Sequence, residues 1–295
     1  MWRLQNGQDA ISGRYPYMVK LLQGFQNEQF CGGVLIDENT VLTAAHCVHH
    51  QMEGTYQYPN LEIGSTRTFN DQDSEILESC ATIIHKRFNP VRYQDGYDIA
   101  IIKLAGSSTK TPVQLWEGPY DFDLYYRTMG FGLTETGEKA ITLQELDIFM
   151  TDHEFCEEEY KDQCGRRPDQ ETCDFLDSVI CAETDNADAC RGDSGGPLIY
   201  VEDNIETGCG KDDKLLGLVS FGLGCGSEDA FTAPGVYTAV RDFADWIKSG
   251  GEDGPDSVNS IEYINPDANE ELCSYIFDPP PPPPPKRTTR TRPRK

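Results

Sequence analysis

No histidine follows His153 in this chain of 295 residues; the five are His46, His49, His50, His85 and His153. A Gly-x-Ser-x-Gly sequence does occur, at Gly192-Asp-Ser-Gly-Gly196. The strand-to-helix nucleophile elbow that shares this pattern needs a histidine after its serine, so residue order alone excludes it. Also missing is any run of about 18 apolar residues, which removes a membrane-spanning helix. The start, Met1-Trp-Arg-Leu4, has no apolar stretch of the secretory-leader kind, so no leader is read there. Eleven cysteines include no Cys-x-x-Cys pair, which speaks against a zinc site. Positive charge is scarce: 25 Lys and Arg face 50 Asp and Glu. Six of those bases crowd into residues 286–295, which leaves residues 1–285 strongly anionic. Such a field repels nucleic acid and draws cationic ligands at a salt-sensitive rate.

What is present fits an oxidising compartment, because thiols in this number stay reduced in a cytosol. Apolar residues at 38% and aromatics at 10% suffice for a packed core. Short apolar and β-branched runs recur at Tyr17–Leu22, Gly33–Ile36, Ser79–Ile84, Ile99–Leu104, Leu215–Phe221 and Gly235–Val240. Gly, Pro, Asn and Asp punctuate them, which is the pattern of an all-β barrel or sandwich. Helix is expected only near Cys156 and over Val240–Lys248, where Val240, Phe243, Ala244, Trp246 and Ile247 recur near helical spacing. Residues 249–278 are polar and acidic apart from Ser274-Tyr-Ile-Phe277. Seven prolines, Pro279–Pro285, then enforce a stiff spacer on the order of 20 Å, and the basic tail beyond is expected to be disordered.

Chemistry concentrates in Asp188-Ala-Cys-Arg-Gly-Asp-Ser-Gly-Gly-Pro197. A serine hydroxyl is a weak nucleophile at neutral pH and needs a histidine to take its proton and a carboxylate to orient that histidine. His46 stands in Val41-Leu-Thr-Ala-Ala-His-Cys47, and Asp98 heads Asp98-Ile-Ala-Ile-Ile-Lys-Leu104.

These three segments, in the order His, Asp, Ser, resemble those of the trypsin and chymotrypsin family of serine endopeptidases. The likeness runs from about Leu4 to Lys248. It implies two six-stranded antiparallel β-barrels with a short C-terminal helix, and a secreted enzyme made as a zymogen. Residues 1–3 would be an activation remnant and 4–248 the protease domain, followed by the acidic extension 249–278 and the tail 279–295. His46, Asp98 and Ser194 would be catalytic, and the N–H groups of Gly192 and Ser194 would face the oxyanion. Ser220 would support Asp98. Asp188 would sit at the base of the primary pocket with Ser220, Phe221, Gly222 and Gly235 along it, which implies cleavage after Arg or Lys. Phe131 and Phe221 stand at site-flanking positions where the family usually has tryptophan. Cleavage after Arg3 would free the Leu4 amine to pair with Asp193.

The resemblance also implies the disulfides Cys31–Cys47, Cys156–Cys181 and Cys190–Cys225. Cys80, Cys164, Cys173, Cys209 and Cys273 stay unassigned, with Cys164 and Cys173 close enough in sequence to pair. Tyr126 and Tyr200 occupy both positions of a further family bridge. No cofactor is implied. Asp71, Asp73, Glu75 and Glu78 offer oxygen ligands where some trypsins bind calcium, but at a spacing that favours a solvated acidic loop. The expected partners are protein or peptide substrates bearing Arg or Lys, and protein inhibitors. The rival reading is a non-catalytic binding protein on the same scaffold.

Overall fold

The computed structural model describes residues 7–24, 27–49, 57–68, 71–92, 96–134, 137–164, 178–184, 189, 191–201, 210–222, 233–251, 261–269 and 271–273. Strands are numbered in chain order, and the two-residue β8 (Gln114–Leu115) pairs in parallel with Lys214–Leu215. The first barrel comprises β2 (Met18–Gln23), β3 (Glu28–Asp37), β4 (Thr40–Thr43), β5 (Asn60–Ile63), β6 (Glu75–Ile84) and β7 (Ala100–Leu104). It runs β6-β5-β2-β3-β4-β7 and closes through β6 and β7. The second comprises β9 (Tyr125–Gly130), β10 (Gln144–Met150), β11 (Val179–Glu183), β12 (Pro197–Tyr200), β13 (Lys214–Phe221) and β14 (Gly235–Ala239), closed through β9 and β10. Closure leaves neither ring with a free edge between its own strands.

Apolar side chains drive both rings. All of Thr40-Val-Leu-Thr43 and all but Lys103 of Ala100-Ile-Ile-Lys-Leu104 are buried, which the apolar runs at Val41-Leu42 and Ala100-Ile-Ile102 anticipate. Helices are few among the described residues: α1 (Ala45–Val48), α2 (His153–Cys164), and a 3-10 turn, Val240–Phe243, running into α3 (Ala244–Lys248). None is long and apolar enough to cross a membrane.

Two short strands tie each chain end to a barrel. β1 (Gln8–Asp9) pairs with β10 of the second barrel, where Gln8 Nε2 donates to Glu145 at 2.9 Å and Gln144 Nε2 donates to Asp9 at 2.6 Å. β15 (Ile261–Ile264) lies on β6 of the first barrel, with Ile261 opposite Ile84 and Ile264 opposite Ala81. Along β6, Glu75–Glu78 alternates between intermediate and exposed positions, whereas every residue of Ser79–Ile84 is buried beside this added strand. A disulfide between Cys80 and Cys273 fastens the same extension. The acidic segment after α3 thus contributes a seventh strand to the first sheet. Cys31–Cys47 and Cys156–Cys181 are also bonded. Cys173, Cys190, Cys209 and Cys225 lie outside the described residues, as do the prolines and the basic tail.

In place of a disulfide, Tyr126 and Tyr200 bring their rings within 6.4 Å, and Trp116 packs on Tyr200 at 5.4 Å. The two halves are also joined by charge. Arg14, just before β2, makes a two-pronged contact with Asp213, just before β13, at 2.6 and 2.8 Å, and Tyr17 donates its hydroxyl to the same carboxylate.

Candidate active site

His46 lies in α1, at the end of β4, and its neighbour Cys47 is bonded to Cys31 of β3. Asp98 precedes β7 and is fully buried. Since β4 and β7 are paired, Thr43 opposite Ala100, the fold carries these two residues to the same end of the first barrel. His46 Nδ1 is 2.7 Å from Asp98 Oδ2, and the His46 backbone N–H donates to Oδ1 at 2.8 Å. Ser220, on β13 of the other barrel, donates its hydroxyl to Oδ2 at 2.5 Å, and Thr238 Oγ1 donates to the Asp98 carbonyl at 2.9 Å. Four groups from both barrels hold this residue.

Burial works against a charge on His46, yet the field of Asp98 and the hydrogen bond to it outweigh that cost and raise the ring's pKa above the ordinary 6.5. The carboxylate also fixes the proton on Nδ1, which leaves Nε2 as the base.

Ser194 arrives from the second barrel in the turn before β12. Its carbonyl accepts from Gly32 N–H of β3 at 2.7 Å and lies 3.6 Å from Cys47 Sγ, beside His46. The barrels meet here through glycines. A Cβ on Gly32 would stand 3.1 Å from the Gly196 backbone, and one on Gly195, at φ 78°, would come within 2.3 Å of Thr43 Oγ1. Side chains at these positions would push the serine turn away from the histidine.

Each carbonyl of residues 191–194 is held. Arg191 O accepts from Leu133 N–H at 2.9 Å, Gly192 O from Gln29 Nε2 at 3.1 Å, and Asp193 O from Gly196 N–H at 2.8 Å, in addition to the Ser194 contact. A trans peptide points its N–H opposite its C=O, so fixing Arg191 O aims the Gly192 N–H, and fixing Asp193 O aims the Ser194 N–H. Gly192 sits at φ 101°, a region where a side chain would be strained. The Asp193 carboxylate is buried and accepts from Gly132 N–H at 2.7 Å. It fills space that a Cβ on Gly130 or Gly132 would take, at 1.9 and 2.5 Å respectively.

Of the expected pocket residues, Ser220 and Phe221 end β13, Gly222 follows them, and Gly235 opens β14. Phe221 meets the Tyr160 ring edge-on at 5.7 Å, and Tyr160 donates its hydroxyl to Pro234 O at 2.7 Å. Asp188, Arg3 and Leu4 lie outside the described residues, and so does Cys190–Cys225. Phe131 departs from the expectation of a site-flanking ring. It is 1% exposed, part of the core, with Lys20 Nζ 4.9 Å from its centroid.

Among the described residues, the one grouping of metal-type ligands is Cys31, His46 and Cys47, and both cysteines are spent in a disulfide. Asp71 turns its carboxylate on the backbone N–H groups of Thr66, Arg67 and Asp73, while Glu75 accepts from Ser108 and Thr109. These donors already serve two of the four acids that the calcium reading offers as ligands.

Sequence reasoning did not find Gln29, Gly130 or Gly132. Each acts on a loop more than fifty residues away, so no local pattern marks it.

Residues 4–247 match the family model described as Trypsin. Mannan-binding lectin serine protease 1 of Homo sapiens is 29% identical over 269 residues, covering 84% of this chain and 35% of that protein. The Rattus norvegicus protein of the same name is 29% identical over 264 residues, with 83% and 35% covered. The chain therefore spans about a third of the length of the curated relatives it matches. Among solved structures, neuropsin, a serine protease expressed in the limbic system of mouse brain, aligns with a TM-score of 0.67 at 27% identity, over 84% of this chain and 99% of that one. The chain belongs to the trypsin family of serine proteases.

Proposed function

We propose that this chain is a secreted endopeptidase that hydrolyses peptide bonds after Arg or Lys through His46, Asp98 and Ser194. The observation that carries the proposal is the hydrogen-bonded chain Ser220–Asp98–His46, assembled from both barrels beside the backbone of Ser194. His46 Nε2 takes the proton of Ser194 Oγ as that oxygen attacks the scissile carbonyl, and returns it to the leaving amine. Asp98 stabilises the imidazolium formed in between. The carbonyl oxygen, now negative, is met by the N–H groups of Gly192 and Ser194. Water then repeats the sequence on the acyl-enzyme.

Preference for Arg or Lys rests on Asp188, six residues before Ser194, with Gly222 and Gly235 leaving room for a long side chain. The excess of acids over bases favours the approach of such substrates. Activation by cleavage after Arg3 is supported by β1, which binds the chain from Gln8 onward to the second barrel, and by the buried Asp193 carboxylate there. Three disulfides favour an extracellular setting.

The test is hydrolysis of matched chromogenic peptides ending in Arg, Lys, Phe or Ala, before and after nicking at Arg3, with Ser194→Ala as control. Turnover of Arg and Lys peptides that begins on nicking and disappears in the control is the expected result. No turnover from a chain with a confirmed Leu4 terminus would favour a non-catalytic binding protein.

A further inference from the structure

We infer that Gln29 is a positioning residue for the oxyanion loop, acting through its hydrogen bond to the carbonyl of Gly192. The inference rests on the proteolytic reading above. Of the four carbonyls in residues 191–194, three are held by backbone N–H groups, which no substitution of the donor residue by a residue other than proline removes. Among the described residues, Gly192 O is the one held by a side-chain donor, Gln29 Nε2 at 3.1 Å, from the other barrel and 163 residues earlier in the chain.

That carbonyl is the one that most needs a hold. Glycine at φ 101° has no Cβ to restrict the two peptides that meet at it. The upstream peptide is pinned by Leu133, and the downstream peptide by Gln29. If the second pin is lost, the Gly192–Asp193 peptide turns more freely about the unrestricted Gly192 Cα, and the peptide that carries the Gly192 N–H is left steadied only on its upstream side, by Leu133, so its aim at the developing oxyanion loosens. Preorganised aim is what gives such a donor its catalytic worth.

The other half of the Gln29 amide argues that the donor is its purpose. Gln29 is 6% exposed, and its Oε1 is buried with no hydrogen-bond partner among the described residues. A buried acceptor left unpaired costs folding free energy, and an apolar side chain of similar length would avoid that cost. Stability alone does not account for glutamine here. The residue is also clamped from outside: Lys139 Nζ donates to the Gln29 carbonyl at 2.5 Å and pairs with Glu28 at 3.0 Å. Leu133 and Lys139 face one another in a β-bridge, so one loop of the second barrel steadies both pins.

The experiment compares the full chain, nicked at Arg3, with Gln29→Met and Gln29→Glu. The first variant deletes the donor at similar size; the second sets an acceptor against the carbonyl. The readouts are kcat and KM on an arginyl peptide amide, the inhibition constant of an arginine peptide aldehyde, that of benzamidine, and the thermal midpoint. The aldehyde forms a hemiacetal oxyanion with the serine, whereas benzamidine fills the primary pocket without one. Gln29→Met is expected to lower kcat about 10- to 100-fold with KM within about twofold, and to weaken the aldehyde by the same factor. Benzamidine binding and the thermal midpoint stay at wild-type values or better, and Gln29→Glu loses more activity than Gln29→Met. Wild-type kcat in Gln29→Met overturns the inference, as does a parallel loss of benzamidine affinity and thermal stability in both variants. An unsubstituted chain that turns over no peptide overturns the proteolytic reading instead.

Discussion

Asp98 is fully buried, and its Oδ2 lies 2.7 Å from Nδ1 of His46, so the ring holds a proton more tightly than a free imidazole. His46 must be neutral to accept the proton of Ser194. A raised pKa therefore leaves it charged and inactive over a wider acid range. The expected pH profile of kcat/KM rises through a midpoint above 6.5, the ordinary imidazole value. Asp98→Asn removes the field that raises it, so the midpoint falls, and kcat drops about 10,000-fold because the tautomer is no longer held. Initial rates on one peptide across pH, for both proteins, check this.

Gly132→Ala is expected to disarm the enzyme without unfolding it. The new methyl would stand 2.5 Å from the Asp193 carboxylate, which is buried and cannot retreat. The 191–194 loop then shifts, with a loss of kcat/KM of about 100-fold or more, the scale of losing an oxyanion donor. Active-site titration with circular dichroism as the folding control measures it.

Removing the Cys80–Cys273 bridge by a double alanine substitution is expected to lower stability by about 2–4 kcal/mol, because the bond closes a long loop in the unfolded chain. Activity should persist, since the first barrel closes through β6 and β7 without β15. Urea titration gives the first quantity, and peptide hydrolysis the second.

Arg14→Met leaves Asp213 buried without its cation. Both side chains are under a tenth exposed, so the expected cost is about 3–5 kcal/mol, far more than a surface pair would give. The urea midpoint of Arg14→Met against the unsubstituted chain checks it.

Much of this molecule is legible in residue order. Strands such as Ile99–Leu104 and Leu215–Phe221 announce themselves because they are buried on both faces and so read as apolar runs. His46, Asp98 and Ser194 each sit in a short distinctive segment. β15 was not legible, because Ile261-Glu-Tyr-Ile264 is four residues long within an acidic stretch, and what makes it a strand is the length of β6, Ala81–Ile84, that runs on past its pairing with β5. Cys80 could not be matched with Cys273 for the same reason, at a separation of 193 residues. Phe131 read as site-flanking from the family resemblance, yet the packing of one barrel on the other turns it inward over Lys20. Gln29 looks like any polar residue at a strand's start until the other barrel brings Gly192 to it.

The most direct measurement of the central claim is the mapping of a fluorophosphonate adduct on the nicked chain by mass spectrometry, with His46→Ala alongside. The account predicts a single adduct on Ser194, formed at the same reagent concentration that leaves His46→Ala unlabelled. No adduct, an adduct on another residue, or equal labelling of His46→Ala would contradict it.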